Sequence, residues 1–420
     1  MNFFKSLIFL LVALLSGSAA GIASPAPPPR SSLLMVLVLS RHGVRSPSHP
    51  AELNAYASRP WPTWQGHPGD LTAHGAQLMR QFGAYYRRFY GSALGLAERG
   101  CPAGGSVFVW ADVDQRTRAT GDAIVQGFAP GCGIAVGHAP SDPDPLFDPL
   151  PGVGVVNKAE STASVLGAVG GNFDGIVDAY GAAFATMERV LGCASPAACK
   201  QITRVPTTVS NDGDGGLASL DGGLDMAADV AENLLLEYTD GHAGVGWGRV
   251  DRPRLIQLLQ LHVLAKQLEH GSRYTARAHS SNITSYILHA LEEGATGKAV
   301  SGTRVPLQAR FIFLSGHDTQ LAEMRGLLGI SWLVKGDQRN DTPPGSALIF
   351  ELHKSGAPGG EPFVRTYFTA QSLDAMRAGH GENPLRVPVY VPGCPSYDCP
   401  FATFSKIVEE AIDPSFVAPS

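Results

Sequence analysis

Residues 33–40 read LLMVLVLS, an unbroken apolar run that the chain leaves through Arg41-His42-Gly43-Val44-Arg45-Ser46-Pro47. An unbroken run, unlike an alternating one, predicts a central strand covered on both faces. Open α/β sheets bind ligands at the carboxyl ends of their strands, so two arginines around one histidine at such an end predict a site rather than core. The fixed positive charges depress the imidazole pKa and keep the ring neutral, as a nucleophile requires. Their planar forks suit phosphate oxygens. Gly43 lets the backbone pass close to a ligand.

The order of strand, charged turn and helix recurs. Helical spacing covers 72–90, with Thr72 as its cap. Residues 106–111 (SVFVWA) predict a second strand, followed by DVDQRTR and a helix over 118–128. Residues 309–315 (ARFIFLS) run into Gly316-His317-Asp318-Thr319 and another helix. This predicts an α/β fold with a mainly parallel central sheet flanked by helices. Between these parts, 153–191, 225–239 and 252–268 look helical and are separated by Gly/Asp-rich loops. They are expected to form a smaller, largely helical inserted domain over 151–285, dividing the α/β domain into 25–150 and 286–420. Residues 347–353 and 362–369 predict an antiparallel pair, and 401–412 a closing helix.

Lys5 precedes an apolar run over 6–15, then small residues and PAPPPR. That is the order of a secretory signal peptide, here 1–24. The run is too short to span a membrane as a helix, so the expected location is the periplasm or outside the cell. Six cysteines fall into three sequence-local pairs, Cys101 with Cys132, Cys193 with Cys199 and Cys394 with Cys399. Short loops and an oxidising compartment favour local disulfides. No CxxC spacing or zinc-finger histidine is present, so no metal site is expected. A formal charge of −5 over 420 residues leaves no global basic field for nucleic acid.

RHGVRSP resembles the signature of the histidine acid phosphatases, branch 2 of the histidine phosphatase superfamily, and His317-Asp318 resembles the family's downstream HD pair. The stretch from Asp112 to Arg118 resembles the family segment carrying a further phosphate-binding arginine, which falls on Arg116. PWPTW, SDPDPLF, GWGR and DTPPG are similar to segments of the family's bacterial periplasmic phytases, and the likeness extends from about residue 34 to the C-terminus. The resemblance implies a phosphoglycerate mutase-like fold, no cofactor, and a monomer acting on a small phosphomonoester. It also implies a two-step hydrolysis. His42 attacks phosphorus and becomes phosphohistidine, Arg41, Arg45, Arg116 and His317 hold the equatorial oxygens, and Asp318 protonates the leaving alkoxide. An aspartic acid that must start protonated predicts an acid optimum, with bound phosphate raising its pKa.

By the same resemblance Ser46, Pro47, Ser48, His49 and Thr319 line the substrate pocket. Glu232 resembles an acidic pocket residue, against the alternative of a solvated or capping helix glutamate. His74, His138 and His262 have no identifiable partner and read as structural or exposed, and Trp61 and Trp64 read as packing. The first function implied is phytate hydrolysis. The alternatives are a glucose-1-phosphatase or broad phosphomonoesterase, and an exported phosphate-ester binding protein that keeps the fold but not the turnover, against which stands the fact that every catalytic position is filled. The pocket rim separates the two enzyme readings: a wide cationic mouth suits a polyanion, a tighter polar one a sugar.

Overall fold

In the computed structural model the apolar run is β1 (Ser32–Arg41), buried from Met35 to Arg41. The structure describes residues 31–419 except 50, 98, 150, 194, 196–198, 358, 381 and 382. The expected leader, 1–24, lies outside the described residues. After β1 the chain forms α1 (Ala73–Tyr90), β2 (Val107–Ala111), α2 (Gln115–Phe128) and the short β3 (Val136–Gly137). Then come α3 (Lys158–Gly167), α4 (Ile176–Ala179) and α5 (Gly181–Leu191), and the hairpin β4 (Thr207–Ser210) and β5 (Ser219–Gly222). Helices α6 (Gly223–Thr239), α7 (Val245–Gly248), α8 (Arg252–Glu269) and α9 (Arg273–Thr296) follow, leading into β6 (Phe311–Gly316) and α10 (Asp318–Leu328). The rest is β7 (Ala347–Lys354), β8 (Pro362–Ala370), α11 (Leu373–Ala378), β9 (Leu385–Val389), β10 (Cys399–Pro400) and α12 (Phe401–Ala411).

The main sheet runs β10-β8-β7-β1-β6-β2-β3, with β9 also paired to β8. β1, β6, β2 and β3 are parallel, while β7 to β10 continue the sheet antiparallel on the other side of β1. This is the α/β architecture expected, including the antiparallel pair. Successive side chains of a strand point to opposite faces, and β1 divides accordingly. Leu37 and Leu39 pack beneath α9, α10 and α12, whereas Val36 and Val38 pack beneath α1 and α2. Register then positions the site: Arg41 pairs with Gly316, and Ala111 with Ser315. The carboxyl ends of β1, β2 and β6 therefore finish at one level, each turning into a polar loop.

A third core joins α5, α6 and α8 to Val44, Leu78 and α11. Two details differ from the sequence reading. The helix expected over 153–191 is broken into three pieces around Gly167, Gly170, Gly171 and Gly175, because glycine exposes backbone and is costly in a helix. The boundary expected at 285 falls inside α9. The buried side chains of α9, Ala276 to Leu291, belong to the core under the sheet, so α9 is part of the α/β body. The disulfides are Cys101–Cys132, Cys193–Cys199 and Cys394–Cys399, the three local pairs.

Candidate active site

The loop after β1 is locked by its backbone. His42 N–H donates to the Gly316 carbonyl at 2.8 Å, and the His42 carbonyl accepts from Gly345 N–H at 2.8 Å. Gly43 N–H donates to Thr120 Oγ1 at 3.0 Å. Helix α1 packs directly against this loop: a Cβ on Gly75 would lie 2.1 Å from the Val44 carbonyl oxygen, so only glycine fits there. Thr72 caps α1 through its side chain and also binds the loop, its N–H donating to the Val44 carbonyl at 3.0 Å.

His42 is buried, and its Nδ1 lies 2.8 Å from the Gly43 carbonyl. A carbonyl only accepts, so Nδ1 carries the proton and Nε2 keeps its lone pair in the neutral ring. Burial, followed by the charges of Arg41, Arg116, His317 and Arg45, holds the His42 pKa well below the ordinary histidine value.

Arg41 is fully buried. Its Nη1 donates to the Thr342 carbonyl at 2.6 Å, and its Nη2 pairs with Glu232 Oε1. Arg45 Nη2 lies 3.2 Å from the same Glu232 oxygen. Glu232, on α6, is 8% exposed, so the solvated-helix alternative does not hold. Burial opposes its charge, but Arg45 and Arg41 outweigh that and lower its pKa to about 2. Arg116, in the first turn of α2, pairs with Asp114 at 2.5 Å. His317 Nε2 lies 2.7 Å from Asp112 Oδ2, which fixes the proton on that nitrogen. That proton is committed to Asp112 until a ligand competes for it. The His42 and His317 rings meet edge to face, 5.5 Å apart.

Asp318 begins α10 and is buried. Burial raises the pKa of a carboxyl group, but the charges of Arg41 and then Lys266 reverse this and hold Asp318 well below the usual aspartate value. In the ligand-free site it is ionised.

A cavity of about 300 Å³ opens here, lined by His42, Arg45, Arg116, His317, Asp318 and Thr319 among others. Ser46 and Pro47 are buried in the loop: the Ser46 hydroxyl donates to the His67 carbonyl at 2.9 Å, and the Pro47 carbonyl accepts from Gly69 N–H. Neither lines the cavity. Ser48 Oγ and Arg116 Nη1 both approach Gly69, which puts Ser48 beside Arg116, while His49 is exposed beyond it.

Sequence reasoning missed several residues. Asp112 and Thr342 orient His317 and Arg41. His262 is neither exposed nor remote: it is 2% exposed, with Nε2 3.7 Å from Asp318 Oδ2. The available signal was a His262/Lys266 pair at i,i+4, which places two ionisable groups on one face of α8. The cavity lining also carries acidic groups, Asp114, Asp142, Asp148 and Asp214, with His279 among them. Burial and then Asp112 raise Asp148 to about 7. Two trios, Asp112–Asp114–His317 and Asp148–Asp214–His279, bring possible metal-ligand atoms within 4.8 Å of one another. His317, Arg116 and Glu323 already engage them, and proximity alone does not make either a metal centre.

Among known proteins, the family model described as histidine phosphatase superfamily (branch 2) matches residues 32–201. Phytase AppA of Escherichia coli (strain K12) is 32% identical over 92% of this chain and 94% of its own length. A glucose-1-phosphatase of Providencia rettgeri is 25% identical over 90% of this chain and 91% of its own. The tartrate complex of Hafnia alvei phytase superposes with a TM-score of 0.86 at 31% identity, covering 94% of this chain and 100% of that one. The complex of the same phytase with myo-inositol hexakis sulphate gives 0.85 at 30%, again covering 94% and 100%.

Proposed function

The chain belongs to branch 2 of the histidine phosphatase superfamily, and from that premise we propose that it is an exported acid phosphatase whose substrate is phytate, myo-inositol hexakisphosphate. Its reaction class is phosphomonoester hydrolysis. The observation that carries the reading is the state of His42: neutral, with Nδ1–H tied to the Gly43 carbonyl and Nε2 left with its lone pair. A phytase relative binds a hexa-anionic inositol ester, which supports the choice of substrate.

His42 Nε2 attacks phosphorus in line and the ester P–O bond breaks. Asp318 gives its proton to the departing alkoxide, which is otherwise a poor leaving group. The Asp318 carboxylate then takes a proton from water as that water attacks the phosphohistidine. The P–N bond breaks, and phosphate and neutral His42 are regenerated. Arg41, Arg45 and Arg116 neutralise the equatorial oxygens, with the His317 N–H as a further donor, and most catalysis of phosphoryl transfer resides in such contacts. The guanidiniums start paired with Glu232 and Asp114, so the phosphate enters a preset charge frame. Its negative charge, placed beside Arg41 and next to Asp318, raises the Asp318 pKa and lets it hold the proton it must donate.

A second reading has its own support. The acidic lining residues Asp114, Asp142 and Asp214 oppose a polyanion, and glucose-1-phosphatases are among the relatives. Phosphate release between about pH 3 and 7 from phytate, glucose 1-phosphate and nitrophenyl phosphate, compared by kcat/KM, decides between them. The phytate reading requires phytate to lead in acid. A lead for the sugar phosphate replaces it with the second reading, and release from none of the three ends both.

A further inference from the structure

Two buried polar atoms in this site have no hydrogen-bond partner and face each other. They are Nε2 of His262 and Oδ2 of Asp318, 3.7 Å apart. Buried polar groups are nearly always paired, and an unpaired one in a native structure calls for an explanation. Asp318 lines the cavity, and His262, 2% exposed, is not among the lining residues. A movement of less than about 1 Å closes the gap to hydrogen-bond distance.

We propose that His262 is a positioning residue for the proton donor: its Nε2–H binds Asp318 Oδ2, sets the orientation and proton affinity of the carboxyl group, and leaves Oδ1 to carry the proton to the leaving oxygen. The inference rests on the phosphatase reading and adds a residue to it. No group is consumed, since Asp318 loses its proton to the alkoxide and regains one from water while the His262 proton stays on nitrogen. Burial holds His262 neutral, with a pKa near 4, so in mild acid it donates as a neutral imidazole.

The charged neighbours of the pair are known from every side. Arg41 comes from β1, Glu232 from α6, Lys266 from α8 one turn beyond His262, and Asp318 from α10. His42 and Asp341 also act on Asp318 or respond to it. Lys266 and Arg41 attract the carboxylate as point charges, and neither makes a hydrogen bond to it. His262 is the neighbour placed to give direction as well as charge. Donation to an ionised carboxylate favours that form and lowers its pKa. Loss of His262 therefore raises the Asp318 pKa and loosens its aim at the same time.

The test compares wild type, His262→Leu and His262→Gln on an alkyl phosphate and on nitrophenyl phosphate, whose phenolate leaves without a proton. His262→Leu is expected to lose about ten-fold or more in kcat on the alkyl ester, with much less change on nitrophenyl phosphate. Its basic limb should move up by about one pH unit. His262→Gln keeps an N–H donor and is expected to restore both readouts in large part. Equal losses on both esters with an unmoved basic limb would make His262 structural and overturn the proposal, as would no change at all. If His262→Leu does not fold, His262→Gln and His262→Asn carry the test, because only the variant whose donor reaches Oδ2 should keep the wild-type ester ratio; equal ratios in the two overturn the proposal. A wild type that hydrolyses neither ester refutes the phosphatase reading itself, which is a different result from any of these.

Discussion

Arg41 Nη2 stands 3.8 Å from Asp318 Oδ2. The guanidinium proposed to bind phosphate is therefore also the strongest charge holding the proposed proton donor ionised. A phosphate entering beside Arg41 weakens that hold and adds negative charge next to the carboxylate, so substrate loads the acid that its own cleavage requires.

This coupling sets a pH dependence. The profile of kcat/KM reports groups of the free enzyme, and that of kcat reports groups of the complex. Asp318 has a depressed pKa when free and a raised one when phosphate is bound, so the loss of activity with rising pH should begin later in kcat than in kcat/KM. An alkyl phosphate followed from about pH 2.5 to 7, corrected for its own ionisation, measures both limbs. Coincident limbs would separate Asp318 from the phosphate site.

Asp318→Asn removes the proton donor and retains the size of the side chain. The first step should slow by about 10²- to 10⁴-fold for alkyl esters and far less for nitrophenyl phosphate. Single-turnover rates on the two substrates check this, and equal losses would remove Asp318 from the acid role.

Gly75 touches no substrate, yet a methyl group there would press on the Val44 carbonyl. Gly75→Ala should cost about 1 to 3 kcal/mol of stability and lower kcat/KM by displacing the loop that carries His42 and Arg45. Denaturant unfolding and kinetics on the same sample check the pair of effects. An active, equally stable variant would mean that the loop is not held by α1.

His279 sits between Glu323, 3.1 Å from its Nδ1, and Asp214, 3.6 Å from its Nε2. Burial opposes its charge, but the two carboxylates outweigh it and raise the pKa to about 10 from 6.5. A folded-state pKa above the unfolded one means that the stabilisation is full below about pH 6.5 and is lost as pH rises through 10. The Tm should fall across that window, and the fall should be shallower in His279→Gln. Identical slopes would show that His279 is not charged in the folded protein.

The strand ends, the charged turns and the reacting residues were legible because each is a short local pattern. An unbroken apolar run ending in RHGVRSP states both a buried strand and what stands at its end, and GHDT after ARFIFLS does the same. The residues that tune those groups come from distant elements. Glu232 on α6, His262 on α8 and Thr342 beyond β6 reach Arg41 and Asp318 only through tertiary packing: resemblance pointed to Glu232 and to the DTPPG segment holding Thr342, but no local pattern marked His262 or told which group each residue engages. The acidic lining was hidden for the same reason, because Asp142 and Asp148 on the β3–α3 connection meet Asp214 from the β4–β5 connection only in the fold. The boundary at 285 suffered because helical spacing alone does not tell which core a helix packs into, and α9 packs under the sheet.

The central claim is that phosphate passes through a covalent bond to His42. Hydrolysis of a phosphate ester made chiral at phosphorus with oxygen isotopes tests it most directly. Attack by His42 and then by water is two in-line displacements, and the account predicts that the released phosphate retains configuration. Inversion would mean a single displacement by water and would contradict His42 as nucleophile.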